Sequence, residues 1–228
     1  MYRLYIANRN YSSWSLRGWL CAKLSGAPFE EVDVQLGDGG YNASYLAFSP
    51  HGLVPCLHDG DVVVWESLAI AEYLAERHAG MWPADPKARA FARSMCAEMH
   101  AGFRDLRNDM TMCIRERLDV RPWSPGLARD IERVCALWGE ARRRFGGGGD
   151  YLFGAFSIAD AFFAPVAFRF QTYLVEPQGE AHAYWRRLLA HPFLRAWEQA
   201  ALAETTIVEA DEPRIVYRDK LRAAGRAT

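Results

Sequence analysis

Three short stretches of this 228-residue chain carry side chains whose type and spacing suit chemistry. In the first, Tyr11-Ser12-Ser13-Trp14-Ser15-Leu16-Arg17, a strand-like alternation gives way to helical spacing. A helix that starts there turns free N–H groups and the positive end of its dipole outward, which favours an anion such as a thiolate. A serine in that place can equally be an ordinary helix cap. Ser12 and Ser15 hold the spacing of a redox Cys-x-x-Cys pair, but hydroxyls cannot exchange disulfides, so that chemistry is excluded.

The second stretch, Gly52-Leu53-Val54-Pro55-Cys56-Leu57, puts a proline at the start of an apparent strand. Proline donates no ladder hydrogen bond, so it belongs at an edge, a bulge or a strand start, with either a trans or a cis peptide. A cis Val54-Pro55 bond would present the Val54 N–H and C=O sideways, ready to pair with an extended ligand as an added strand would. In the third stretch, Trp65-Glu66-Ser67-Leu68, an acid and a hydroxyl precede another helical pattern. The hydroxyl and free N–H groups suit a carboxylate and Glu66 suits an ammonium, a grip for the zwitterionic end of an amino acid; a plain cap is the alternative. Farther on, His100, Arg104 and Arg107 fall at i, i+4 and i+7, a polar stripe for a cleft, a dimer partner or solvent.

The elements that position these residues read as β-α-β-(α)-β-β-α and then helices only. Tyr2–Ala7 alternates as a strand, and Ser13–Leu24 carries Trp14, Leu16, Trp19, Leu20 and Leu24 at helical spacing. Phe29–Leu36 resumes strand character before the turn Gly37-Asp38-Gly39-Gly40. A short segment, Ala43–Phe48, leads to a hairpin of Val54–Leu57 and Val62–Trp65 about Asp59-Gly60, and Glu66–Arg77 closes the unit as a helix. Beyond Pro83–Pro86 we expect one long helix over Lys87–Leu118, bent near Gly102, then Leu127–Phe145, Ser157–Leu174 and Tyr184–Ala203, the last split at His191-Pro192. Glu204–Thr228 shows no pattern. The division falls between residues 1–82 and 83–228.

Composition bounds the rest. A net charge of -1 gives no electrostatic support for binding nucleic acid or a membrane surface. The most apolar run, Ile158–Phe168, is interrupted by Asp160 and Pro165 and is too short for a bilayer. No leader segment is expected at the N-terminus. The cysteines (Cys21, Cys56, Cys96, Cys113, Cys135) are odd in number and scattered, which suits reduced cytosol and indicates neither a disulfide framework nor a metal site. The aromatics Phe162, Phe163, Phe168, Phe170 and Tyr173 read as core.

The three stretches, in this order and spacing, resemble the cytosolic glutathione transferase family, and the resemblance covers nearly the whole chain. Phe156-Ser157-Ile158-Ala159-Asp160 is similar to that family's buried capping box, a structural motif. Within the family, Ser12-Ser13-Trp14-Ser15 is most similar to the zeta class, although Trp14 stands where that class has a cysteine. The resemblance implies a thioredoxin-like α/β domain followed by an all-helical domain, with glutathione as cosubstrate and no metal. By the same match Ser12, with Ser13 as alternative, activates the thiol; Ser12, Ser13, Trp14, Arg17, Val54, Pro55, Glu66 and Ser67 bind glutathione, with Val54-Pro55 cis. His100, Phe103, Arg104 and Arg107 become candidates for the acceptor site. The implied activity is a cytoplasmic, homodimeric transferase of detoxification type acting on a small, electrophilic, hydrophobic molecule. A glutathione-dependent isomerase or lyase, or a non-catalytic binding protein, are the alternative functions on the same fold.

Overall fold

In a computed structural model the chain is described over residues 1–36 and 40–218. Strands β1 (Tyr2–Ile6) and β2 (Phe29–Asp33) run parallel, Tyr2 opposite Phe29, and helix α1 (Ser13–Ser25) makes the crossover between them. Strand β3 (Cys56–Asp59) pairs antiparallel with β1 and hairpins to β4 (Val62–Trp65), giving a four-stranded sheet in the order β2-β1-β3-β4. Leu4, Ile6 and Leu57 from the strands are fully buried, in one core with Leu16 and Leu20 of α1 and with Ile70 and Leu74 of α2 (Ser67–Arg77). Alternation along the strands sends these residues to one face and makes that face the core. Close approach explains Gly18: a Cβ there would lie 2.9 Å from the Pro55 ring, so α1 and the start of β3 meet only over a glycine. The mixed sheet with its two helices is the thioredoxin-like arrangement expected, and the helices that follow form the expected all-helical half. Of the turn expected at Gly37-Asp38-Gly39-Gly40, residues 37–39 lie outside the described residues.

Helix follows helix after residue 85: α3 (Pro86–Ala101), α4 (Arg104–Asp109), α5 (Pro125–Phe145), α6 (Ile158–Thr172), α7 (Gly179–Ala190), α8 (Pro192–Ala203) and the short α9 (Pro213–Val216). The split at His191-Pro192 is found as expected, with Pro192 at the first turn of α8, where its missing N–H costs nothing. Helix α6 is buried at every residue but Gln171, which makes it the axis of the helical half, packed against α1 and α3. Its start is the capping box: the Asp160 carboxylate accepts from the Ser157 N–H at 2.8 Å, the Ser157 hydroxyl at 2.9 Å, the Leu152 N–H at 3.1 Å and the Tyr184 hydroxyl at 3.0 Å.

The single long helix over Lys87–Leu118 is not found. Helix α3 stops at Gly102, Phe103 takes a left-handed φ of 57°, and after α4 the chain runs without helix from Met110 to Ser124. The reason is competition from other partners: Ile114 donates its N–H to the Asn10 carbonyl, Arg115 to the Asn10 side chain, and Leu118 to the Thr172 carbonyl. The unpatterned tail is fixed by similar polar contacts. Glu204 accepts the N–H groups of Arg9 at 2.7 Å and Asn10 at 3.0 Å, and Glu212 accepts the Tyr11 hydroxyl at 2.8 Å. Both grips hold the loop that leads into Ser12. Among the described residues no helix is long and apolar enough to cross a membrane.

Candidate active site

Ser12 caps α1. Its N–H bonds the Asn8 carbonyl at 2.8 Å, and its Oγ accepts the Ser15 N–H at 3.3 Å and donates to the Ser15 Oγ at 2.8 Å. Ser15 is fully buried and accepts the Ala7 N–H at 3.0 Å, which ties the pair to the end of β1. A hydroxyl hydrogen rotates to suit its surroundings. The Ser12 hydroxyl donates to Ser15, and rotation about its C–O bond turns that hydrogen toward an anion lying in front of it.

What lies in front is a cavity of about 270 Å³, lined by Ser12, Trp14, Leu36, Gly40, His51, Leu53, Val54, Pro55 and Glu66. Residues from all three sequence stretches therefore reach the same space. The Val54-Pro55 peptide is cis, and Val54 lies outside the β1–β3 ladder, whose register begins at Cys56. Glu66 precedes α2 with φ 68° and ψ 126°, a conformation that costs a non-glycine residue about 1–3 kcal/mol and that surrounding contacts must maintain. Its carboxylate lies between two histidines, 3.8 Å from His51 Nε2 and 3.7 Å from His100 Nε2. Ser67 is fully buried and its Oγ has no hydrogen-bond partner among the described residues, an unmet group at the N-terminus of α2.

The remaining expected residues divide. Trp14 lines the cavity, with the His100 ring 5.3 Å from its own and edge-on, and with the Arg17 and Arg107 guanidiniums each 4.6 Å from its ring centre. Ser13 is turned inward, its Oγ 3.4 Å from Arg169 Nη2. Arg17 does not face the cavity: it is fully buried behind Trp14, with Nε on the Phe162 carbonyl at 3.0 Å. The stripe expected along one helix is broken at Gly102 and Phe103, which leaves His100 and Arg107 beside Trp14, Phe103 in the core and Arg104 exposed. Burial holds the His100 imidazole below its usual pKa, opposed by Glu66 and assisted by Arg17 and Arg107.

His51, Leu36, Leu53 and Gly40 line the cavity without having been singled out from the sequence. Their only local signal is position, His51 and Leu53 just ahead of the Val54-Pro55 turn. Arg169 reaches Ser13 from α6, a contact across 156 positions that no local pattern announces.

Two family models match the chain: that of the glutathione S-transferase N-terminal domain over residues 11–77 and that of the C-terminal domain over residues 121–200. Over 51 residues the chain is 49% identical to a glutathione S-transferase of Silene vulgaris, covering 22% of this chain and 24% of that protein, so it spans about a quarter of that relative. It is 28% identical over 205 residues to glutathione S-transferase F13 of Arabidopsis thaliana, covering 82% of this chain and 91% of the relative. Among solved structures, a glutathione transferase homologue from Burkholderia gl BGR1 with bound glutathione superposes with a TM-score of 0.65 at 25% identity, over 89% of this chain and 98% of that one.

Proposed function

The chain belongs to the glutathione S-transferase family, and from that premise we propose that it ionises the glutathione thiol at Ser12 and directs the sulfur onto a small electrophile. The observation that carries this reading is the convergence of Ser12, the Val54-Pro55 turn and Glu66 on one cavity. Glutathione fits the groups present. The unpartnered Ser67 hydroxyl and the α2 N-terminus suit the γ-glutamyl carboxylate, Glu66 suits its ammonium, and Val54 offers its peptide to the cysteinyl backbone. That pose sets the sulfur before Ser12, where a hydroxyl hydrogen bond and the α1 dipole stabilise the thiolate. The thiol proton passes to solvent, the sulfur lone pair forms the C–S bond, and the leaving group departs with its bonding pair.

In this reading residues 1–82 hold glutathione, and residues 83–228 supply the acceptor wall through His100 and Arg107. The protein works in the cytoplasm on electrophiles of the detoxification type. The isomerase, lyase and non-catalytic alternatives are not favoured, and the zeta-like Ser-Ser-x-Ser motif is retained without that class's cysteine. Calorimetric titration with glutathione tests the reading, which requires saturable binding.

Binding and chemistry separate by residue. Glu66 and Ser67 grip the end of glutathione remote from the sulfur, so Glu66→Ala or Ser67→Ala should raise the dissociation constant at least about tenfold, about 1.4 kcal/mol. Calorimetry checks this, and wild-type affinity in both variants would remove the anchor from these residues. The active species is a two-fold symmetric homodimer. Sedimentation velocity at micromolar concentration should give twice the chain mass; a monomer with full glutathione affinity would contradict it.

A further inference from the structure

Glu66 has no permanent cation beside it. Among the described residues its carboxylate meets no lysine or arginine at ion-pair distance, and the groups that do approach are imidazoles: His51 Nε2 lies 3.8 Å from Oε1 and His100 Nε2 lies 3.7 Å from Oε2. Neither distance is a hydrogen bond. The acid that lines the cavity therefore keeps acceptor capacity unused.

The hydrogen on the His51 ring is placed from behind. Ser49 is fully buried and has a single hydroxyl hydrogen, which it donates to the Leu53 carbonyl at 2.7 Å, so toward His51 Nδ1, 3.0 Å away, its oxygen can only accept. His51 must then carry its hydrogen on Nδ1. In the neutral ring this leaves Nε2 as an acceptor, and the atom it faces, Glu66 Oε1, is an acceptor as well. Two acceptors 3.8 Å apart cannot satisfy each other, but one nitrogen placed about 2.9 Å from both can donate to the two at once. An ammonium, with three donors and a positive charge, is the group that fits.

We propose that His51 is a second acceptor for the γ-glutamyl ammonium of glutathione, forming with Glu66 a two-point bracket that selects a free amino group there. The proposal rests on the glutathione reading and deepens it: Glu66 supplies the charge and His51 the direction. Both residues line the cavity that Ser12 also lines. His100, on the other side of the carboxylate, does not line it, and among the described residues no partner of its Nδ1 fixes its tautomer. The Ser49 hydroxyl that sets the His51 ring also holds the Leu53 carbonyl, immediately before the cis Val54-Pro55 turn, so the bracket and the turn are aligned by one group.

The test compares glutathione with its deamino analogue, in which hydrogen replaces the γ-glutamyl amino group, by calorimetry at pH 8. The wild type should bind glutathione at least about tenfold more tightly than the analogue, the scale of one hydrogen bond to a charged group. His51→Leu should weaken glutathione binding at least about tenfold and leave the analogue's affinity nearly unchanged. An equal loss for both peptides would make His51 a structural support and overturn the proposal, with the glutathione reading intact. Unchanged glutathione affinity in His51→Leu overturns it equally. A wild-type protein that binds neither peptide refutes the cosubstrate itself and the bracket with it. Nitrogen NMR of the wild type keeps the test valid where the variant fails to fold: the His51 hydrogen should reside on Nδ1, and glutathione should shift the Nε2 resonance while the analogue does not. A ring that carries its hydrogen on Nε2 would overturn the proposal.

Discussion

Asp160→Ala should lower the unfolding free energy by about 3 kcal/mol or more, because it strands four buried donors at about 1–3 kcal/mol each before relaxation. The donors are the Ser157 N–H and hydroxyl, the Leu152 N–H and the Tyr184 hydroxyl, which join the start of α6 to the loop before it and to α7. Since α6 packs on α1, the loss reaches the element that carries Ser12. Urea unfolding measures it, and a change within about 0.5 kcal/mol, the ordinary range of surface substitutions, would show that the box carries no such weight. Charge adds a pH signature. Burial lifts the Asp160 pKa to about 6, against hydrogen bonds that pull it down, so the folded chain holds this proton more tightly than the unfolded one. Its contribution is therefore fully present below the unfolded value of 3.8 and is lost as pH rises through about 6. Asp160→Asn should lack that slope, which the difference between wild-type and variant stability curves would show.

How much of this was legible depended on where the deciding contacts lie in sequence. Strand alternation in Tyr2–Ile6, the β-branched run of Val62–Trp65 after the Asp59-Gly60 turn, the helical face of α2 and the proline start of α8 are local, and the structure follows them. Ser12, Glu66 and Pro55 stood out for the same reason, each at the start of an element. The stretch from Met110 to Leu118 misled because its helical composition is outbid by partners in other elements, chiefly Asn10 and Thr172. The tail gave no signal since single acids hold it, Glu204 and Glu212, each effective only through distant partners. Likewise Arg17 reads as one residue of a helix-start motif, and its burial becomes evident only once α6 and Phe162 are placed beside it. The guanidiniums beside Trp14 and Ser13 come from α1, α4 and α6, so no window of sequence contains them together.

Ser12→Ala should slow conjugation of a generic aryl halide by about 10-fold to 150-fold. That range corresponds to a charge-assisted hydrogen bond of about 1.5–3 kcal/mol expressed in the transition state. Affinity for glutathione should change much less, because the proposed anchors Glu66 and Ser67 are left intact at the other end. Removing the hydroxyl also deprives the Ser15 N–H of its cap acceptor, so part of any stability change belongs to the cap, about 1 kcal/mol. The split between turnover and dissociation constant isolates the chemical role. Ser13→Ala is the control: its Oγ faces Arg169 rather than the cavity, and the account expects a smaller loss of turnover. A larger loss in Ser13→Ala than in Ser12→Ala would transfer the role to Ser13.

The most direct measurement is the ultraviolet absorbance of the bound glutathione thiolate, followed against pH in the wild-type protein, Ser12→Ala and Ser13→Ala. A free thiol titrates near about 8.5. The account predicts a wild-type midpoint well below that value, moved up toward it by Ser12→Ala and left in place by Ser13→Ala. A bound thiol that titrates at or above the free value in the wild-type protein would contradict thiol activation at this site.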